Sequence, residues 1–339
     1  MKECRKRGMT FLSLLLVSLL SLFFLYFRVG NREATIQSAR LFAFSLLGSL
    51  VSLPVCIFLE DGKRLSFVFS SLSTALILVM ALPIGIRPFY VLLASVVATS
   101  LSFLFCLLFH KPVFHFSVFS VFLLYLVNED GFTTHLNGRS ILTNIQENPL
   151  SDLYFLHKGN LLEVLKGLSS SKISMWELFI GDYLSTIACS FVLVLFLVMM
   201  FLSIEHILKG SAMLVFLLSS FLSFFIFLLL SGNSASDSLE QAICLLLYSD
   251  LFFLSFLISD DMYLEKNTLS TYSLLLLSQA LFFLLFYFQS LNLALLLSLF
   301  FFDFLYPMFS SIQRKTISNP LFTVSLLLTF LPSVILGVK

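Results

Sequence analysis

The sequence predicts an all-α polytopic membrane protein with about ten transmembrane helices in two five-helix halves, separated by one long external loop. Its composition, its apolar windows and the distribution of its Lys and Arg residues lead to this prediction. Of the 339 residues, 59% are hydrophobic and 12% are charged, whereas soluble domains carry roughly a quarter charged residues. The 42 Phe residues exceed what a water-soluble globule of this size can bury. We therefore expect lipid as the solvent.

The apolar windows follow one another along most of the chain. A helix needs about 20 apolar residues to cross the hydrocarbon core. Ten or eleven windows qualify, the fifth being short and the last being bounded by Pro320 and Pro332: 9–28, 40–58, 65–82, 88–109, 113–127, 184–204, 211–230, 240–258, 270–289, 291–310 and 321–338. The first window has no small-residue cleavage site, so we expect a retained helix and not a signal peptide.

The windows divide the chain into four segments. Residues 1–127 form a first transmembrane half, 128–183 an external loop, and 184–310 a second transmembrane half. Residues 311–339 form a C-terminal segment that adds one more span if 321–338 crosses the membrane. Two blocks of about five helices are typical of an inverted structural repeat, which the sequence symmetry alone leaves open.

The Lys and Arg residues predict the orientation. With the N-terminus inside, the inner side collects Lys2, Arg5, Lys6, Arg7, Lys63, Arg64, Lys111, Lys209, Lys266, Arg314 and Lys315. The outer side collects Arg28, Arg32, Arg40, Arg87, Arg139, Lys158, Lys166, Lys172 and Lys339. Four of the outer residues lie in the long loop, which counts least toward the positive-inside rule. The prediction is an inner (cytoplasmic) membrane protein with a cytoplasmic N-terminus and residues 128–183 outside.

Charge and motifs narrow the possible functions. A net charge of +1 gives no reason to expect a nucleic-acid partner, and the expected surroundings are the lipid bilayer. The five cysteines are scattered without a CxxC pair, so we predict no metal or iron–sulfur site built wholly from this chain. No GxGxxG, Walker A, HExxH or GxSxG motif occurs, so no catalytic residues are predicted and the chain is not expected to be an enzyme on its own.

A few ionisable residues lie inside or next to the predicted spans. Asp250 stands in LLLYSDLFFLSF and Asp303 in SLFFFDFLYPMF, and Asp260 follows the span 240–258. A charge at membrane depth costs several kcal/mol on insertion scales, so such residues are candidate intramembrane polar sites. Two interpretations stay open: an ion or proton relay or a polar lining near a cofactor, and a protonated carboxyl bonded to a neighbouring helix. For His110 and His115, near span ends, a solvated side chain is favoured over a ligand.

Five segments, in matching order and spacing over about residues 40–310, point to one family of membrane proteins. They are TALILVMALPIGIRP (74–88), HKPVFHFSVFSVFLLYL (110–126), MWELFIGDYLSTIACSFVLVLFL (175–197), LFFLSFLISDD (251–261) and LFFFDFLYPMFS (299–310). They resemble, in turn, the segments TGLLLALNLPPG, GNNIFNPALVGRAFL, LFLGNIPGSIGETS, GAFFMATDP and ILLMNLFAPLID. These segments are typical of the RnfD/NqrB family, whose members are membrane components of the Rnf electron-transport complex and of the Na+-translocating NADH:quinone oxidoreductase.

The resemblance implies a membrane subunit that passes electrons through flavin within a redox-driven ion pump, beside other membrane subunits of the complex. It also implies ten spans in two five-helix halves with an external loop between them. In the family, FMN is attached through a phosphoester to a Thr in a D-x-x-S-x-A-T-P-L motif of that loop.

The chain departs from the family pattern at the flavin sites. Its Pro149-Leu150 places the acceptor position on Asn148, and asparagine has no hydroxyl that could form the phosphoester. The family's GSIGE falls on residues 184–188 and its ATDP on residues 258–261, where the sequence differs. The resemblance therefore implies a divergent member with degenerate flavin sites. We predict no covalent FMN, and a non-covalently bound flavin, FMN or riboflavin, stays open.

Two other classes of protein share the general pattern. A stand-alone transporter or channel would line its pathway with Asp250 and Asp303. A membrane glycan polymerase or ligase also has ten or more spans and one large external loop. That class would need a catalytic loop bearing Arg or His, for which Arg139, His135 and His157 are the candidates.

Overall fold

The computed structural model describes residues 2–27, 32–54, 61–82, 85–109, 115–127, 135–136, 139–140, 160–171, 175–180, 192–248, 251–260, 264, 268–312 and 315–338. The predicted helical fold is confirmed over these residues. Extended pairing within them is limited to two two-residue antiparallel strands, β1 (His135–Leu136) and β2 (Arg139–Ser140), and a bridge between Leu208 and Asp260.

Fourteen helices lie in the described ranges. The helices before residue 208 are α1 (Lys2–Phe27), α2 (Arg32–Ser52), α3 (Asp61–Met80), α4 (Pro88–Phe109), α5 (Phe116–Val127), α6 (Leu161–Ser171), α7 (Met175–Ile180) and α8 (Val192–Ile204). The later helices are α9 (Gly210–Leu230), α10 (Ala235–Tyr248), α11 (Leu251–Ser259), α12 (Leu269–Phe288), α13 (Leu291–Ser311) and α14 (Lys315–Gly337).

Several helices are long and apolar enough to cross a membrane. Six described segments meet both conditions: Cys4–Phe23, Pro88–Phe105, Gly210–Leu230, Leu269–Phe288, Leu293–Ser311 and Ile317–Gly337. The number rises to seven if the bent pair α10 and α11 forms one span, and four shorter apolar helices lie in α2, α3, α5 and α8. The chain is therefore a multi-pass membrane protein.

The chain forms two compact units. The N-terminal unit comprises Met1–Tyr154 and Ile180–Ile207, and the C-terminal unit comprises Phe155–Phe179 and Leu208–Lys339. Helices α1–α5 and α8 belong to the first unit, and α6, α9–α14 and most of α7 to the second. The boundaries at 127, 183 and 310 that the apolar windows indicate stay predictions.

One end of the N-terminal unit joins the start of α1 to the end of α8. Lys6 Nζ donates a hydrogen bond to the carbonyl of His206 at 3.1 Å, and Arg5 lies 3.6 Å from the carboxylate of Glu205. Cations at a helix C-terminus interact favourably with the helix dipole and with its last carbonyl groups. We call this the Lys6 end.

Side-chain contacts give the direction of the other helices of this unit. The rings of Phe11 and Phe69 are 5.9 Å apart, which brings the first half of α3 beside the first half of α1. Gln37 Nε2 donates to the carbonyl of Ile86 at 2.9 Å, so the start of α2 lies by the residues that precede α4. Helices α2 and α4 therefore begin at the same end of the unit.

The centre of the N-terminal unit is built on close helix approaches. Ser95 Oγ donates to the carbonyl of Ser45 at 2.7 Å, and Ser45 Oγ donates to the carbonyl of Ala75 at 2.8 Å. A Cβ added to Gly48 would lie 2.6 Å from the carbonyl oxygen of Leu92. Small residues and interhelical hydrogen bonds hold α2, α3 and α4 together, as is common in membranes.

The centre of the C-terminal unit is aromatic. The ring of Phe283 on α12 lies 5.8 Å from Phe224 and 5.8 Å from Phe227, both on α9. Phe286 adds an edge-to-face contact with Phe224 at 6.3 Å. These rings are buried where α9, α12 and α14 pack against one another.

Contacts also give the helix directions of the C-terminal unit. Tyr272 on α12 donates to Ser211 on α9 at 2.8 Å, and Ser270 donates to the carbonyl of Ile312 at 2.9 Å. The starts of α9 and α12 and the end of α13 therefore lie together, at what we call the Lys209 end. At the other end, which we call the Leu230 end, a Cβ on Gly337 would lie 2.9 Å from that of Leu230.

Candidate functional site

Two of the aspartates that sequence analysis selected are described by the structure. Asp260 and Asp303 are both buried, with 7% and 5% of their surface exposed. Asp250 and the flavin-acceptor position Asn148 lie outside the described residues. The candidate site is therefore built from the surroundings of Asp260 and Asp303.

The predicted span 240–258 is divided into two helices. The part Ala235–Leu247 of α10 and the part Leu251–Ser259 of α11 are bent by 58° relative to each other. At 1.5 Å per residue, α10 is about 21 Å long and α11 about 14 Å, so only the two together cross a hydrocarbon core of about 30 Å. The window 240–258 stays a predicted span, with a bend between its two helices. The sequence between the helices is Ser249-Asp250, and both residue types favour helix caps over helix interiors.

Helix α11 is enclosed by protein on all sides. All nine of its residues are buried, and it packs against α9, α10 and α13. A helix that is hydrophobic all round belongs in an interior, and nine residues are too few for a span. Helix α11 thus occupies the half of the C-terminal unit nearest the Lys209 end.

Asp260 ends this short helix and does not lie in the middle of a span. Leu208 pairs with Asp260 in an antiparallel bridge, and Lys209 N donates to the carbonyl of Ser259 at 2.7 Å. The carbonyl of Asp260 accepts from Leu264 N at 2.8 Å. These main-chain bonds tie the end of α11 to the segment that enters α9.

Asp303 lies inside α13, one turn before a proline of the same helix. It is the thirteenth of the 21 residues Leu291–Ser311. Pro307 stands four residues later in the same helix and has no N–H, so the backbone bond that would end on the carbonyl of Asp303 is not formed by this helix. The carbonyl to which Pro307 cannot donate and the buried carboxyl therefore belong to the same residue.

The bent pair α10–α11 and the proline-containing helix α13 are neighbours. Helix α11 packs against α13, and both end at the Lys209 end of the unit. Irregular backbone at membrane depth is tolerated where protein or a water-filled cavity surrounds it, and ionisable groups there mark ion or proton pathways. The candidate site, α11 with the Asp303–Pro307 part of α13, combines a buried carboxyl with a helix carbonyl to which Pro307 cannot donate.

The residues of α11 do not fit a flavin. When Asp260 is aligned with the aspartate of the family's GAFFMATDP segment, Phe253 stands where the family has its glycine. The Phe253 side chain is buried in the protein and fills the space that a glycine would leave for close backbone approach. No step through flavin is therefore derived for this segment.

Metal ligands and histidine give no further site. Within the described ranges, no group of three or more His, Cys, Asp or Glu side chains could hold a metal ion. His115 is buried before α5, so the prediction of a solvated side chain was wrong for this residue. Its carbonyl accepts from Val118 N at 2.9 Å and Phe119 N at 3.2 Å. Its main chain begins the helix.

Sequence analysis missed Gln279 in the aromatic centre of the C-terminal unit. Its side chain is 0% exposed, and Ser223 Oγ lies 3.4 Å from Gln279 Oε1. Its Nε2 has no hydrogen-bond acceptor among the described residues. The signal in the sequence is an uncharged amide within the apolar run LLLLSQALFFLL. Selecting only ionisable residues in the spans does not include a glutamine.

The chain was compared with protein families and with curated proteins. No protein-family model matches this chain, and no curated protein matches it in sequence. The resemblance to the RnfD/NqrB family therefore rests on the five segments quoted above, and function is argued from the residues themselves.

Proposed function

We propose that the chain is a membrane subunit of an Rnf-like, redox-driven ion-translocating assembly of the inner membrane. It keeps the fold and the contacts with other membrane subunits, and its own flavin sites are degenerate. The observation that carries the proposal is α11. The segment LFFLSFLISDD, which resembles the family's GAFFMATDP, forms this short helix inside the C-terminal unit, and all nine of its residues are buried.

The proposed topology counts the four shorter apolar helices as spans. With the six long helices and the bent pair, this makes eleven crossings, near the predicted number. In the N-terminal unit, the rings of Phe105 and Phe116 are 4.7 Å apart, so α5 starts where α4 ends, at the Lys6 end. Residues 128–183 then leave from the opposite end. A cytoplasmic N-terminus follows from the excess of Lys and Arg at the Lys6 end.

Affinity purification in mild detergent tests the proposal. We expect the tagged chain to bring other membrane subunits of a redox complex, which mass spectrometry identifies. We also expect no flavin fluorescence at its own mass in a denaturing gel, because Asn148 offers no hydroxyl. A chain that emerges from native membranes alone and monomeric would sink the proposal. A fluorescent band at its mass would refute the absence of covalent FMN.

Asp303→Asn separates an assembly role from a proton-handling role. Asparagine keeps a polar group of the same size, and the family segment ILLMNLFAPLID has Asn at this position. We expect assembly and the activity of the complex to be kept, as for the exposed control Asp237→Asn at the start of α10. Normal protein levels with lost ion transport would instead assign proton transfer to Asp303.

A stand-alone transporter is the second candidate. Broken helices at membrane depth form the substrate and ion sites of many transporters. The bent pair α10–α11, with the buried Asp303 on its neighbour α13, favours this candidate. This candidate expects the purified chain alone to move an ion in liposomes. A glycan polymerase gains no comparable support, since of His135 and Arg139 only the backbone is described and His157 lies outside the described residues.

A further inference from the structure

Helix α6 lies within the segment that the sequence assigns to an external loop. It begins with a reciprocal pair of bonds: Asn160 Oδ1 accepts from Glu163 N, and Glu163 Oε2 accepts from Asn160 N, each at 3.1 Å. This arrangement resembles a capping box, with Asn in place of Ser or Thr. Residues 161–171 therefore form a defined helix.

One face of α6 is already covered by the C-terminal unit. Leu161, Val164 and Leu168 are buried at i, i+3 and i+7 spacing, and α6 packs against α10 and α12. Glu163 and Lys166 are exposed. Charged residues on the open face are incompatible with the hydrocarbon core, so α6 lies at the edge of the membrane or beyond it.

The contact with α10 gives the depth of α6. Helix α10 starts just after α9 ends, at the Leu230 end, and reaches about 21 Å before the break. It therefore covers about two thirds of a hydrocarbon core of about 30 Å, starting from the Leu230 end. A helix that packs on it and carries exposed charges lies at the membrane surface of that end.

Helix α7 follows three residues later with a large exposed aromatic. Trp176 is 65% exposed, while Leu178 is fully buried. The Trp176 ring contacts Phe179 edge-on at 6.2 Å. An indole has an apolar body and one N–H donor, and tryptophan is enriched at membrane–water interfaces for this reason.

We propose that α6 and α7 form an interfacial anchor in which Trp176 inserts into the lipid headgroup region at the Leu230 end of the C-terminal unit. The partner is the bilayer surface. Its apolar boundary accepts the indole ring, and its carbonyl and phosphate oxygens accept the N–H. The anchor does not depend on the proposed redox assembly, because it needs only a bilayer around the spanning helices.

The chain has one Trp, so its intrinsic fluorescence reports on this residue alone. The full chain is reconstituted into vesicles that contain lipid brominated either near the headgroup or near the acyl-chain end. We expect bromine near the headgroup to quench about twofold more strongly, as for aromatic residues at the interface. Iodide in the water should quench weakly compared with free tryptophan.

A control variant moves the Trp to a deeper position in the membrane and tests whether the quenching reports depth. In the double variant Trp176→Phe/Phe300→Trp, the new indole replaces a half-exposed ring in the middle of α13, and the deep quencher should be the stronger one. Strong iodide quenching of Trp176 with no effect of either lipid would overturn the anchor. Protection from both iodide and lipid would also overturn it, because protein would then cover the residue.

Discussion

The centres of the two units are held together by different kinds of contact. In the N-terminal unit, α2, α3 and α4 meet through Ser45, Gly48 and Ser95, with hydroxyl-to-carbonyl bonds of 2.7 and 2.8 Å. In the C-terminal unit, α9 and α12 meet through phenylalanine rings about Phe283. The N-terminal centre requires small side chains, which let the backbones approach closely, and the C-terminal centre requires large aromatic rings, which pack against one another.

The physical reason lies in the solvent. Lipid tails are as apolar as leucine, so helices in a membrane associate through van der Waals packing and hydrogen bonds and not through the hydrophobic effect. Close backbone approach at small residues and interlocking of large rings both increase packing. The two centres should therefore respond oppositely to a change in side-chain volume.

The largest expected effect is the loss of a ring from the aromatic centre. Phe283→Ala removes contacts with both Phe224 and Phe227, and a buried Phe→Ala change costs about 3–5 kcal/mol in soluble proteins. We expect about 3 kcal/mol here, since lipid lessens the transfer contribution. Unfolding in mixed detergent measures it. Phe304→Ala on the exposed side of α13 is the control, and an equal loss there would remove the distinction.

The second-largest expected loss of stability comes from adding one methyl group in the N-terminal unit. In Gly48→Ala the new Cβ would meet the Leu92 carbonyl at 2.6 Å, and a backbone atom cannot move aside as a flexible side chain can. We expect a destabilisation of about 1–3 kcal/mol, as for overpacked cores.

Gly8→Ala is the matched control for Gly48→Ala. Its nearest contact would be the Phe69 ring at 3.5 Å, an ordinary van der Waals distance, so we expect a change within about 0.5 kcal/mol. Thermal unfolding of both variants in the same detergent decides the matter. If the two lose stability equally, close approach at Gly48 is not what holds α2 to α4.

The smallest effect compares two buried glutamines. Gln37 Nε2 has a carbonyl acceptor at 2.9 Å, and Gln279 Nε2 has none among the described residues. Removing a made hydrogen bond costs about 1 kcal/mol, whereas an apolar group of similar shape in place of an unsatisfied one is nearly neutral or stabilising. Gln37→Met should destabilise more than Gln279→Met, which gives up only the long 3.4 Å bond from Ser223. An equal loss in the two variants would mean that the Gln279 amide has an acceptor in the native membrane.

Much of the fold could be predicted from local patterns, and much of the site could not. The run Gly210–Leu230 predicts a span because its apolar length alone matches the bilayer. The burial of Asp303 in α13 is consistent with its position inside an apolar window. The bend between α10 and α11 was not predicted. The residues on both sides of Ser249-Asp250 are apolar, and a hydropathy window gives the same result for a straight helix and for a bent one.

The sequence by itself determined that the chain is helical and belongs in a membrane, since length and hydropathy are local properties that need no partner. Only the tertiary structure decided that α11 is enclosed on all sides, that α6 packs against spanning helices and that Gly48 faces a carbonyl of α4. These features depend on which helices meet and at what depth. The composition of a helix does not specify its neighbours, because the free energies of a serine, glycine or phenylalanine facing lipid and facing protein are similar. The packing and hydrogen bonds with a second helix make the difference.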